Sequence, residues 1–204
     1  MKIKVTIPER QEEITVAQYM AYQSLLSEDD LKEDFLAQKV VEIFCKVSWE
    51  QVRKMPLEDI GVITEKVARA LNEKPKLIRR FNLNRTTYGF IPDLDLLTFG
   101  EYIDLDTFFT KEEDLHRALN VLYRPIATTL NDMYTIKEYD PGNANRLKQM
   151  PLNVALGAID FFFRLSEELL ANTVAFSERK ARASILRRSR GLPLNTVGTR
   201  AFTP

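Results

Sequence analysis

Four helix starts are written into this chain, and they constrain its fold more tightly than anything else in it. A Ser or Thr followed three residues later by Glu or Gln lets the two side chains cap the backbone N–H groups that open a helix. The pattern occurs at Thr15 with Gln18, Ser48 with Gln51, Thr98 with Glu101 and Thr110 with Glu113. The first box predicts a helix through about Leu26. A second helix is expected from about Asp29 to Lys46, because Leu31, Phe35, Leu36, Val40, Ile43, Phe44 and Val47 keep to one face. Ser48 opens a short helix carrying Trp49 and Val52. Pro56 suits the first turn of the next, which continues through Ile60, Ile63, Val67, Ala70 and Leu71 until Asn72–Pro75. From about residue 111, Leu115, Ala118, Leu119, Leu122 and Ile126 recur at helical spacing, and the helix is expected to stop at Arg124-Pro125. Pro151 opens what reads as the longest helix, running to at least Ala175.

Strand signals are fewer. Met1 to Ile7 alternates, with Ile3, Val5 and Ile7 on one side, and Pro8 ends the run. Phe81-Asn-Leu83 and Tyr88-Gly-Phe90 flank Asn84-Arg85-Thr86, a hairpin pattern that could pair with the N-terminal strand. Residues 128–142 read as irregular, with a short strand at Met133 to Ile136. The expected fold is therefore mainly α (α+β). It has a helical protein-binding domain over 1–176 with a small antiparallel sheet, then a basic helix end and extended arm over 177–204.

The 204 residues carry 29 basic and 29 acidic side chains, but the balance is uneven along the chain. Beyond Glu178 come Arg179, Lys180, Arg182, Arg187, Arg188, Arg190 and Arg200 with no acidic residue, so the preceding body is correspondingly acidic. The arm ends in LPLNTVGTRAFTP, without helical or strand period. Three readings of it stay open: a solvated tail, a dock on an acidic protein or a neighbouring copy, and a grip on roughly five or six nucleic-acid phosphates. Phe202 is its only aromatic, which weakens single-strand stacking. Arg179, Lys180, Arg182, Arg187, Arg188, Arg190 and Phe202 are the expected partner contacts of the arm, and Arg124 of the body. For Arg124 a second reading is a cation favoured at a helix C-terminus.

Catalysis finds little support. His116 is the one histidine, placed by its offset at the core edge or in solvent, and Cys45 is the one cysteine, set in the apolar run around Phe44. Asp93-x-Asp95 and Asp104-x-Asp106 could offer hard oxygen ligands to magnesium, but turn and helix-end roles explain them better. No phosphate-cradling or nucleophile-elbow motif occurs. The expectation is no enzyme, no cofactor and no metal. Phe161, Phe162 and Phe163 point about 100° apart on a helix, which leaves both an intradomain core and an oligomer interface open. The N-terminus has no apolar signal region and no stretch suits a bilayer, so a cytoplasm-like compartment is expected.

In order along the chain stand Ile14-Thr-Val-Ala-Gln-Tyr, FCKVSWEQVRKMPL from Phe44, Tyr88-Gly-Phe-Ile-Pro-Asp-Leu and Leu97-Thr-Phe-Gly-Glu-Tyr-Ile-Asp-Leu. Leu122-Tyr-Arg-Pro-Ile and Met150-Pro-Leu-Asn-Val-Ala-Leu-Gly follow. With these, residues 14–176 resemble a family of phage-encoded tail or baseplate assembly chaperones. The resemblance implies a morphogenesis protein without cofactor, whose partners are tail or other virion subunits, found in the host cytoplasm during assembly. The arm lies outside the resemblance and suits a component that stays in the virion. The alternative is a particle protein whose arginine-rich arm contacts packaged genome.

Overall fold

The computed structural model of the chain describes residues 5–28, 31–94 and 97–165. It divides into two units, 1–161 and 162–204. The first is mainly helical with a small antiparallel sheet, as the sequence predicts, and the sheet has four strands. Of the second, only residues 162–165 are described; they are helical, and the rings of Phe162 and Phe163 meet edge to face. The C-terminal helix end and arm expected over 177–204 lie outside the described residues.

Helix α1 (Val16–Leu26) opens on the reciprocal Thr15–Gln18 box. Gln18 does a second job: its amide donates to the Ile43 carbonyl at 2.8 Å, clamping α1 to the end of α2 (Glu33–Cys45). Lys46 closes α2 in the left-handed region at φ 55°. Helix α3 (Trp49–Val52) follows its Ser48–Gln51 box, and α4 (Leu57–Leu71) starts directly after Pro56. Ile14, Val41, Phe44, Cys45, Ile63, Val67 and Leu152 form the core between these helices. Cys45 is buried there, and burial pushes its thiol up. Gln11, also buried, donates to the carbonyls of Leu71 and Glu73 and so satisfies the end of α4.

Strands β1 (Arg80–Leu83) and β2 (Thr86–Phe90) form the expected hairpin, through Asn84 and Arg85 at φ 48° and 66°. Among the described residues its partner is β3 (Tyr123–Leu130) and not the N-terminal segment. Residues 5–9 form no strand; Val5 and Ile7 pack half-buried on the helical core, a burial that an alternating segment achieves as well as a strand does. The sheet runs β1-β2-β3-β4, with β3 and β4 (Met133–Ile136) completing it.

Two further expectations are corrected here. Thr110 does not open a helix; it ends α5 (Phe99–Phe109), its hydroxyl donating to the Thr107 carbonyl at 2.7 Å. A 3-10 turn over Glu112–Asp114 leads into α6 (Leu115–Leu122). That helix does not reach Ile126. It passes at Tyr123 straight into β3, because Pro125 bars Arg124 from helical backbone and the edge of β2 is there to receive it. After β4 a 3-10 segment, Pro141–Gln149, packs on α6, and residues 152–161 are helical. Gly157 of that helix lies against the Lys76 carbonyl, an approach that any Cβ would block. Among the described residues no helix is long and apolar enough to cross a membrane.

Candidate functional site

The junction between α6 and β3 holds a buried ion pair. Glu101 stands at the third position of α5, where Oε2 accepts the Thr98 N–H at 2.9 Å and completes the helix cap. Its other oxygen takes the Arg124 guanidinium at 2.8 Å, with both side chains about nine-tenths buried. Arg124 also donates from Nε to the Val121 carbonyl and lies over the Tyr139 ring. The Tyr139 hydroxyl in turn donates to Asp104 at 3.1 Å. Burial first, and that hydrogen bond second, push Tyr139 up to about 12. The cluster fastens α5, α6, β3 and the approach to the 3-10 segment together. Arg124, expected to reach out to a partner, is thus directed inward and paired within the chain: a buried cation beside a buried carboxylate must stay paired.

Below it, aromatic packing fixes the root of the sheet. Tyr123 is fully buried, meets Phe81 and Phe90 edge to face, and donates its hydroxyl to the Ile78 carbonyl at 2.6 Å. Phe161 packs edge to face on Phe90, so the first of the three consecutive phenylalanines belongs to the core of this unit.

The other sequence-marked residues fall elsewhere. His116 is 5% exposed instead of lying at the core edge, and burial holds its imidazole below the usual range. Asp95 is outside the described residues, and among those described no three His, Cys, Asp or Glu side chains converge as metal ligands would. Arg179, Lys180, Arg182, Arg187, Arg188, Arg190 and Phe202 are likewise outside them.

The sequence reading gave one strand of a ribbon, β4 at Met133–Ile136, and missed the other, having read the residues before it as irregular. Strand β3 pairs with β2 through Tyr123, Arg124 and Pro125; from Ile126 on it pairs with β4, with a bulge between Ile126 and Thr128. Every residue from Ala127 to Met133 is exposed. Leu130 and Met133 face each other across the Asn131–Asp132 turn, and they are 69% and 70% exposed. The ribbon is rooted by Tyr134, which reaches across to donate its hydroxyl to the Phe90 carbonyl at 2.6 Å. Its ring lies on Gly89, where a Cβ would collide with it. The signal was present in the sequence: Asn131-Asp132 sits between two runs rich in Thr and apolar residues.

A second exposed apolar surface lies on α5. Glu101 and Leu105 point inward, which turns Phe99, Tyr102 and Ile103 outward at i, i+3 and i+4. No family model matches this chain, and neither a curated protein nor a solved structure matches it.

Proposed function

We propose that this chain is a non-enzymatic phage morphogenesis protein. It binds tail or other virion subunits, either as an assembly chaperone or as an incorporated structural component. The observation that carries the binding reading is the ribbon. A two-stranded hairpin is marginal on its own in water, and a large apolar cross-strand pair at its tip adds exposed surface that an assembly contact would cover. The outer face of α5 offers a second contact of the same character. The phage assignment rests on the ordered resemblance from Ile14 to Gly157. In the same reading the polar cluster at Arg124 holds secondary structure together and performs no chemistry, and the protein works in the host cytoplasm and, if retained, in the virion.

The test is site-specific photocross-linking in cells producing the particle that encodes this chain, with the photoreactive residue at Met133 or at Ile103. A covalent adduct whose mass-spectrometric identity is a virion structural subunit supports the reading. Adducts with host proteins alone would sink it. Quantifying the chain in purified particles separates component from chaperone, since a chaperone is absent. A second reading, genome contact through the arm, is favoured by its seven cations beyond Glu178, a stretch with no acidic side chain. It requires nucleic-acid affinity that falls steeply with salt and is lost when Arg187, Arg188 and Arg190 become glutamine.

A further inference from the structure

Strands β2 and β3 part where their pairing would be expected to continue. The register matches Phe90 with Tyr123, Gly89 with Arg124 and Tyr88 with Pro125. Carried on, it would match Thr87 with Ile126 and Thr86 with Ala127. Instead β3 turns to β4, and a cleft of about 380 Å³ opens at that place. Thr86 and Thr87 line one side and residues 126–129 the other, with Arg85 and Lys137 also in the wall.

What the cleft offers is mostly main chain. Two-residue turns close both hairpins, so Leu83 with Thr86 and Leu130 with Met133 are hydrogen-bonded closing pairs. Antiparallel alternation then turns the N–H and C=O of Thr87 and Thr129 away from their own hairpins and toward the cleft. The same phase shows further along β2. There the Phe90 N–H donates to the Arg79 carbonyl at 2.8 Å on one side, and the Ile91 N–H to the Leu122 carbonyl at 2.9 Å on the other. The side-chain hydroxyls contribute less, since that of Thr87 is spent on Asn82 at 2.7 Å and that of Thr128 on Thr135 at 2.6 Å. Alternating donors and acceptors along a strand edge match another strand.

Charge selects the kind of strand. Arg85 stands exposed in the β1–β2 turn, and the exposed Lys137 sits at the root of the cleft, where its N–H donates to the Pro125 carbonyl. None of the described lining residues is acidic. We propose that this cleft takes an extended acidic segment of a partner protein, which pairs along the free edge of β3 and directs carboxylates at Arg85 and Lys137. The inference rests on the ribbon being a contact surface, but not on the partner being a virion subunit.

The test uses the full-length chain, labelled with nitrogen-15, and the fluorescein-tagged peptide Glu-Thr-Glu-Val-Glu-Thr at low salt. The expected result is saturable binding by fluorescence anisotropy, with NMR shifts centred on the amides of Thr87 and Thr129. Replacing every Glu of the peptide by Gln weakens binding roughly tenfold. Arg85→Asn and Lys137→Gln each weaken it roughly threefold, as expected for exposed ion pairs; Asn tolerates the φ of 66° at that position. Thr129→Pro removes an N–H that faces away from β4, a place where a strand accepts proline, and abolishes binding. Because that variant could also loosen the ribbon, peptides with N-methyl groups on alternate amides, in either phase, are tested on the wild-type chain. At least one phase loses binding. Undiminished binding of both N-methylated peptides or of the Gln peptide overturns the proposal, as does no saturable binding. So does an oligothymidylate that moves the same amides, since it offers no strand to pair. The cross-links expected from Met133 stand or fall separately, because they depend on which protein is captured and not on this edge.

Discussion

Strand β3 lives in two environments. Its first two residues, Tyr123 and Arg124, are buried; one is locked by aromatic rings and the Ile78 carbonyl, the other by Glu101 and Tyr139. Its last four, Ala127–Leu130, are exposed, and Thr128, Thr129 and Leu130 pair with β4. The bulge before Thr128 separates the halves. The contrast shows that residue type alone misassigns roles in this protein. The charged side chain that looks made for a partner is consumed by the fold, while two ordinary apolar residues stand in solvent. The buried half should therefore be sensitive to substitution in stability, and the exposed half in binding.

The hardest way to break the comparison is Arg124→Ala. It leaves the Glu101 carboxylate buried without its cation, and removing one member of such a pair costs ~3–5 kcal/mol. Urea denaturation reads it as a large fall in midpoint. A loss below ~1 kcal/mol would be that of an exposed pair and would mean that the ion pair does not weld α5 to β3. Thr98→Ala tests the same weld from its other end. Losing the cap costs ~1 kcal/mol, and the loss should exceed that of Ser48→Ala. Gln51 only caps a one-turn helix, whereas Glu101 caps α5 and holds Arg124 as well.

Alkaline pH loosens the same region through Tyr139. Its hydroxyl is raised from 10.0 to about 12, so the folded chain keeps a proton that the unfolded chain releases. The associated stability is fully present below pH 10.0 and is lost between there and about 12. Tyr123 and Tyr134 are raised in the same direction, chiefly by burial. Tyr139→Phe should therefore flatten part, not all, of the fall in urea midpoint over that window. An unchanged slope would show that Tyr139 is as wet as in the unfolded chain.

How far the sequence was legible depends on how local the deciding interaction is. The boxes at Thr15, Ser48 and Thr98 are closed within four residues, and all three open helices as read. Thr110 carries the same signature, yet its hydroxyl turns back to close α5; nothing local separates a cap that opens a helix from one that ends it. The double duty of Gln18 and Glu101 was not legible either. Their second partners, Ile43 and Arg124, are 25 and 23 residues away in sequence. The same distance problem hid the sheet: β2 pairs with β3 across an intervening pair of helices, and Val5 and Ile7 alternate in a way that fits a strand or a segment laid on helices. His116 was misplaced because the 3-10 segment that buries it lies more than twenty residues further on and carries no helical period. The arm's charge was plain to read, but its fate turns on residues outside those described.

The smallest effect on folding is expected at the ribbon tip. Leu130→Ser and Met133→Ser remove exposed side chains at a turn, where substitutions usually move stability by no more than ~0.5 kcal/mol. Asn131, at φ 54°, and the paired Thr128 and Thr135 hydroxyls at 2.6 Å remain to hold the hairpin. The double variant should unfold at the wild-type urea midpoint and still lose affinity for the virion subunit that the Met133 cross-link identifies in the wild-type chain. A matching loss of stability would mean that Leu130 and Met133 support the hairpin itself. The exposed half of β3 would then obey the same rule as the buried half, and the division drawn at the bulge would be only a difference in depth.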